Sequence, residues 1–586
     1  MLKAALAMAI AMVGLPTTLA YAQPGDARLN ALLGEYERIE RAADPITSGF
    51  EGDRAALARL PDVTPAAADA RRAALLALRQ RLDRLNARGL SGEAALNRAY
   101  LMDVIDDQVQ SIGFDEARVP FSNDGGFHST VDYIARTTPV RDREDAEAWL
   151  ARLTAMPRYY ADNIANARRG ITTGFTQPEV VVARTLELAR AQADASAEQS
   201  SLLIPFADMP ARIPADVQES YRARALAIVR EQIKPAQREF VGFLETEYLP
   251  AARPALAIRT TPNGEAYYRY LVRHHTTTAM SPEEIHALGQ TEVARIRAAM
   301  ETVIGESGFA GGFAAFQSFL RTDPRFYAQS PEDLLEKAAE IAKRADDQLP
   351  RLFAALPRLP YGVRPVPDEL AEGYTTGRYW QGSLALGQAG GYMVNTHRLD
   401  QRPLYELPAL TLHEAVPGHH LQIALAQELD GLPYFRRTAS VTAFVEGWGL
   451  YSESLGEEMG IYRTPYERFG RLSYEMWRAC RLVADTGLHW MGWPLAQARV
   501  CFEENSALSP HNITTELERY VADPGQALGY KIGELTLLRL RREAAAELGE
   551  RFDVRAFHDA VLGAGPLPLE LLEARIRAWM DERRAG

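Results

Sequence analysis

The sequence predicts a mainly α protein with a small β-sheet beside a central cleft, and three observations predict it. Apolar residues recur at three- and four-residue spacings through most of residues 24–350 and again from about 405 to the end. Explicit helix starts punctuate those runs. One stretch between about 355 and 396 breaks the texture with proline, glycine and aromatic residues.

Taken in chain order, the first 22 residues stand apart. Lys3 precedes an apolar run from Ala4 to Gly14, and Ala20-Tyr21-Ala22 forms an A-x-A cleavage signal before Gln23. The run is shorter than the roughly 20 residues a membrane span needs, so the segment reads as a signal peptide (1–22) and the protein as periplasmic or secreted. No later segment is apolar enough to span a bilayer. The next helices are amphipathic. "DARRAALLALRQRLDRLNARG" (69–89) sets Leu75, Leu76, Leu78, Leu82 and Leu85 between arginines, with Gly89 where a C-cap belongs. Long helices are expected over 147–170 and 220–250. A break near 255–265 divides a helical lobe (23–260) from a second lobe (261–586). In "SPEEIHALGQ", Ser281 is the N-cap, Pro282 takes the first turn and Glu284 completes a capping box. "LPRLPYGVRPVPDEL" is extended, and "YTTGRYWQGSLALGQAGGYMVNT" (374–396) reads as short strands or a hairpin.

Bulk numbers exclude some functions. A chain of 586 residues with 47% apolar and 24% charged content is globular, and its net charge of -12 argues against a nucleic-acid binder. Only Cys480 and Cys501 are present. Pairing in an oxidising compartment and two buried thiols are both open readings.

The chemistry concentrates in "LHEAVPGHHLQ" (412–422), which holds three of the eleven histidines. It resembles the H-E-x-x-H pattern of zinc hydrolases, in which two histidines one turn apart bind the metal and the glutamate serves as base. Here Pro417 occupies the place of the second histidine, and His413 and His419 are six residues apart. A regular helix would rotate them by about 240°, at roughly 100° per residue. Pro417 removes an amide and Gly418 tolerates unusual dihedrals, so a widened turn or bulge is expected to bring His419 back to His413. His420 is the alternative ligand or a supporting residue. A third ligand is expected on a following helix, where Glu446 sits among Phe444, Val445, Trp448 and Leu450; a buried carboxylate needs a partner. Three ligands with an open position favour zinc.

These residues carry a resemblance. "HEAVPGHHLQ", "EGWGLYSE" (446–453), "RLSYEMWRACRLVADTGLH" (471–489) and "RYVADPGQALGYKIGEL" (519–535) resemble a bacterial family of secreted proteins and lipoproteins labelled only as a domain of unknown function. That family is similar to distant gluzincin metallopeptidases, which implies a two-lobed helical peptidase fold with a small sheet beside the active-site cleft. Dipeptidyl peptidase III, whose longer motif also ends in Gly-His, supports His419 over His420. The resemblance implies that "GGYMVNT" (390–396), with Tyr392 and Asn395, is an edge strand pairing with an extended peptide. It also implies that Tyr530, with His489 as second candidate, donates to the oxyanion. Arg478 and Arg481 are candidates for a substrate carboxylate, against the plainer reading of a solvated or ion-paired face.

The expected function is an exported zinc peptidase with Glu414 as general base and a peptide as substrate. Competing readings are a zinc hydrolase of other amides or esters, and a non-catalytic periplasmic scaffold with a closed four-ligand site that includes His420.

Overall fold

The computed structural model describes residues 24–585 apart from Asp124 and Gly373, so the proposed signal peptide lies outside the described residues. The chain is mainly helical with one three-stranded sheet, as its periodicity predicts. Three long helices open it, α1 (Pro24–Ala43), α2 (Pro65–Asp83) and α3 (Gly92–Phe114), with a short helical segment at Pro45–Phe50 between the first two. In α2, Leu75, Leu78 and Leu82 are buried while Leu76 is 37% exposed, so the apolar stripe is narrower than the leucine run. Gly89 is not the cap of α2. The helix ends six residues earlier, and Gly89 closes a separate single turn at Ala87–Gly89.

A second group follows: α4 (Phe127–Thr137), α5 (Arg143–Thr173), α6 (Glu179–Asp194) and α7 (Lys234–Phe243). The expected helix over 220–250 is continuous in direction but contains two π-helical turns, Val229–Ile233 and Leu244–Tyr248. Pro235 lies just after the first of them, where it deprives the helix of an amide donor. Then comes α8 (Pro282–Glu306), where Ser281 Oγ accepts from Glu284 N at 3.2 Å and the Glu284 carboxylate accepts from Ser281 N at 2.8 Å. That capping box satisfies two amides no helix can pair internally.

The sheet consists of β1 (Tyr361–Pro365), β2 (Gly377–Trp380) and β3 (Gly390–Val394) in the order β1-β3-β2. β3 runs parallel to β1 and antiparallel to β2, with Tyr392 opposite both Val363 and Tyr379. The strand expected to be an edge is therefore the central one, with both of its sides occupied by neighbouring strands. Its five residues are all buried.

Beyond the sheet lie α9 (Leu407–Glu414), α10 (His419–Gln427), α11 (Thr442–Glu458), α12 (Pro465–Thr486), α13 (Leu495–Asn505) and α14 (Gly529–Leu548). Cys480 of α12 and Cys501 of α13 form a disulfide with a Cα separation of 5.7 Å. Buried apolar residues form two large clusters. The smaller draws on residues from Phe121 to Tyr248; the larger joins Leu29, Leu75 and Leu101 of the opening helices to residues from Ile258 through Met580. No helix among the described residues is long and apolar enough to cross a membrane.

Candidate metal centre

The histidine motif does not form one bulged helix. α9 stops at Glu414 and α10 starts at His419, with a break between them that includes a cis Val416–Pro417 bond. Gly418 sits at its tightest point: a Cβ there would lie 1.9 Å from the His413 carbonyl oxygen and 2.4 Å from that of Leu412. Only glycine lets the two helix ends approach so closely. Trp448 of α11 holds the break, donating its indole N–H to the Pro417 carbonyl at 2.8 Å. The expected widened turn is thus two short helices meeting at an angle, and the angle turns both imidazoles to one point.

α11 supplies the rest. Glu446, Gly449, Glu453 and Gly456 follow one another at spacings of three, four and three, so they share one helix face. Carboxylates alternate with bare backbone along it. A Cβ at Gly449 would come within 2.6 Å of the His413 ring, and one at Gly456 within 2.5 Å of Leu412. The opposite face meets α14 equally closely, since a Cβ at Gly447 would lie 2.5 Å from Gly533 Cα. Small residues on both sides let α11 wedge between the histidine motif and α14.

Glu446 Oε2 lies 3.4 Å from His413 Nε2 and 3.4 Å from His419 Nε2. Among the described residues, these three side chains are the group able to hold a metal ion, their ligand atoms all within 4.8 Å of one another. A tetrahedral zinc with ligand bonds of 2.0–2.1 Å has ligand–ligand edges of about 3.3 Å, which the carboxylate–imidazole distances match. Glu446 Oε2 is also buried with no hydrogen-bond partner. An orphaned carboxylate oxygen between two imidazoles fits a divalent cation. Burial opposes ionisation of Glu446, but His419 and His413 outweigh it and hold the carboxyl well below its ordinary range.

His413 is oriented from behind. Its Nδ1 lies 2.9 Å from Glu453 Oε1, and Arg478 pairs with that same oxygen at 3.1 Å. Burial depresses the His413 imidazole, yet Glu446 and Glu453 overcome this and raise it to about 9. A carboxylate on the outer nitrogen fixes the tautomer and raises the ligand's basicity. In the sequence Glu453 continues from Glu446 at near-helical spacing but in a more polar context; the structure places it behind His413 rather than at the metal point. Glu453→Gln is expected to weaken binding of a divalent cation at this group by about 10–100-fold, checked by chelator competition.

Glu414 Oε2 accepts the Tyr379 backbone N–H of β2 at 2.7 Å. The sheet edge that touches the site is therefore β2. Nothing in the sequence singled out Tyr379. His420 turns away from the metal group. Its Nδ1 meets Tyr379 Oη at 3.1 Å, it also hydrogen-bonds the Leu359 backbone, and burial pushes its pKa down to about 4. It braces the strand that holds Glu414. Tyr530 of α14 stacks over His413 with ring centroids 6.3 Å apart and is almost fully buried. Burial, reinforced by the Glu446 charge, raises its pKa, so its hydroxyl remains a donor.

Other candidates are engaged elsewhere. His489 has both ring nitrogens committed, to Ile258 N at 3.3 Å and Tyr520 O at 2.7 Å, so it ties three chain segments together and has no donor left for an oxyanion. Tyr392 is fully buried with its hydroxyl on Thr411, and Asn395 spends its amide on the carbonyls of Ala371, Tyr374 and Thr375. Neither offers a group to substrate. Arg478 is held by Glu453, and Arg481 donates to Tyr520 Oη and Glu516 at 2.8 and 2.9 Å. Both are ion-paired but buried rather than solvated, and Arg481 stacks 4.0 Å from the Tyr530 ring centroid.

Residues 45–576 match the family described as "Bacterial protein of unknown function (DUF885)". The chain belongs to this family. It is similar to the crystal structure of a "putative lipoprotein" from Colwellia psychrerythraea, 26% identical, with a TM-score of 0.89 over 95% of this chain and 99% of that one. A "putative lipoprotein of unknown function" from Shewanella oneidensis is 16% identical with a TM-score of 0.69, covers 94% of this chain and 99% of that one, and shares the fold. None of the curated proteins matches the sequence.

Proposed function

We propose that this DUF885 member is an exported zinc-dependent hydrolase of peptide bonds. The observation that carries the reading is the convergence of His413, His419 and Glu446 on one point, with the Glu414 carboxylate fixed beside them by Tyr379. Three protein ligands are the pattern of a catalytic zinc, whereas structural zinc takes four. His420, the residue a closed site would need, is committed to Tyr379 and Leu359. That favours the hydrolase over the scaffold. The resemblance of the 413–422 motif to gluzincins points the same way.

When bound, zinc supplies Lewis acidity and lowers the pKa of water to about 7. The chain's own residues do the rest. Glu414 takes the proton of the attacking water and returns it to the leaving amine. The backbone N–H of Tyr379, donated to Glu414, keeps that carboxylate oriented for both transfers. Tyr530 donates its hydroxyl proton in a hydrogen bond to the developing oxyanion. Glu453 and Arg478 keep the His413 ring from turning. Export fits the segment at 1–22, and the two structural relatives are described as "putative" lipoproteins.

Purified protein is expected to contain near-stoichiometric zinc, to cleave members of a peptide library, to lose that turnover to a chelator and to regain it with added zinc. Mass spectrometry of a mixed panel of peptides, acyl amides and esters reads the outcome. Turnover confined to esters would move the protein to the competing hydrolase class, and turnover indifferent to chelator would end the zinc reading.

A further inference from the structure

A cavity of about 1380 Å³ lies between strand β2 and the helices of the smaller apolar cluster. Tyr379 and Trp380 form one wall; α4, α6 and α7 contribute the other. Tyr133 of α4 meets Trp380 edge-on, with ring centroids 5.5 Å apart. The cavity thus shares a residue, Tyr379, with the site already described, because the amide of that residue holds Glu414.

Its floor has unused hydrogen-bonding capacity. His128 is 2% exposed, packed against Phe127 and Phe240, and neither of its ring nitrogens has a partner. Gln237 is 3% exposed, and its Oε1 also has none. Both residues line the cavity. Burial holds His128 down to about 4, so at neutral pH it presents one N–H donor and one acceptor nitrogen. The Asp132 carboxylate accepts from Gln192 and Ser201, and Arg136 together with Lys234, which donates to the Gln192 carbonyl at 2.6 Å, offsets its charge. What remains is a neutral pair of complementary groups: an acceptor on Gln237, and a donor with an acceptor on His128. Buried polar atoms are rarely left unpaired. A peptide group presents one N–H and one C=O, the complement of this pair.

We propose that this cavity holds a stretch of the substrate chain on one side of the scissile bond, with His128 and Gln237 hydrogen-bonding one of its peptide groups. The inference rests on the peptidase reading. His128 lies five residues from Tyr133, about 7.5 Å along the helix at 1.5 Å per residue. An extended chain covers about 3.3–3.6 Å per residue, so the recognised group is about two residues beyond the Tyr133–Trp380 contact.

The test uses blocked alanine peptides, acetyl-(Ala)n-amide, of increasing length. On the zinc-loaded enzyme, kcat/KM is expected to step up once the chain extends at least about two residues past the cleaved bond. His128→Phe keeps the ring packing and Gln237→Met keeps the volume. Each is expected to lose about threefold to tenfold for long peptides, the worth of one hydrogen bond, and nothing for the shortest, with thermal unfolding unchanged. Binding of acetyl-(Ala)6-amide to Glu414→Gln protein by calorimetry gives the second arm. Tight binding weakened by both substitutions supports the cavity even if no peptide is hydrolysed. Hydrolysis with no length step and no effect of either substitution overturns the inference and leaves the hydrolase standing. Absence of binding at millimolar peptide overturns it as well.

Discussion

Glu414→Gln is expected to lower peptide turnover by about 10²–10⁴-fold while the zinc content stays unchanged. Glutamine has the shape of glutamate, and its amide oxygen still accepts the Tyr379 N–H that lies 2.7 Å from the native carboxylate. Glu414 is not among the three converging ligands, so removing its charge leaves the donor set intact. What disappears is the ability to take and return a proton. Metal analysis beside steady-state kinetics checks both halves. Unchanged turnover removes the base assignment; lost zinc would instead make Glu414 part of the metal's support.

Gly418→Ala is expected to remove zinc binding and lower the unfolding temperature. The new methyl would sit 1.9 Å from the His413 carbonyl oxygen and 2.4 Å from that of Leu412. Both obstacles are backbone, so no rotamer change relieves them. Relief requires α9 and α10 to separate, which pulls His413 away from His419. Overpacking a tight core costs about 1–3 kcal/mol and occasionally more, and backbone obstruction places this case at the upper end. Gly431→Ala is the control, because nothing lies within 4 Å of a Cβ there. Its melting temperature and metal content are expected to match the parent's.

The helical class was legible because helix periodicity is local: Ser281, Pro282 and Glu284 announce α8 within four residues. His413 and Glu446 were legible for a related reason, since an imidazole beside a carboxylate and a carboxylate amid apolar residues are visible in short windows. The six-residue gap to His419 showed that a regular helix fails, but the manner of its failure depends on Trp448, 31 residues on, gripping Pro417. Long-range pairing hid the rest. β3 is central because the proline-rich segment at 361–365 folds back as β1. His489 is consumed by a backbone amide 231 residues away. Glu453 looked solvated among Glu457 and Glu458, yet is 1% exposed because Gly449 and Gly456 let α9 lie flat against its helix.

Leu29 and Leu75 share one apolar cluster with Trp448, beside the candidate metal group, and with Leu572, Ile576 and Met580. Residues 261–586 expressed alone would therefore expose that cluster where the opening helices belong. Assembly carries the same constraint: the cluster that includes Trp448 stays incomplete until Leu572, Ile576 and Met580 have joined Leu29 and Leu75, so residues early and late in the sequence must meet before that core is whole.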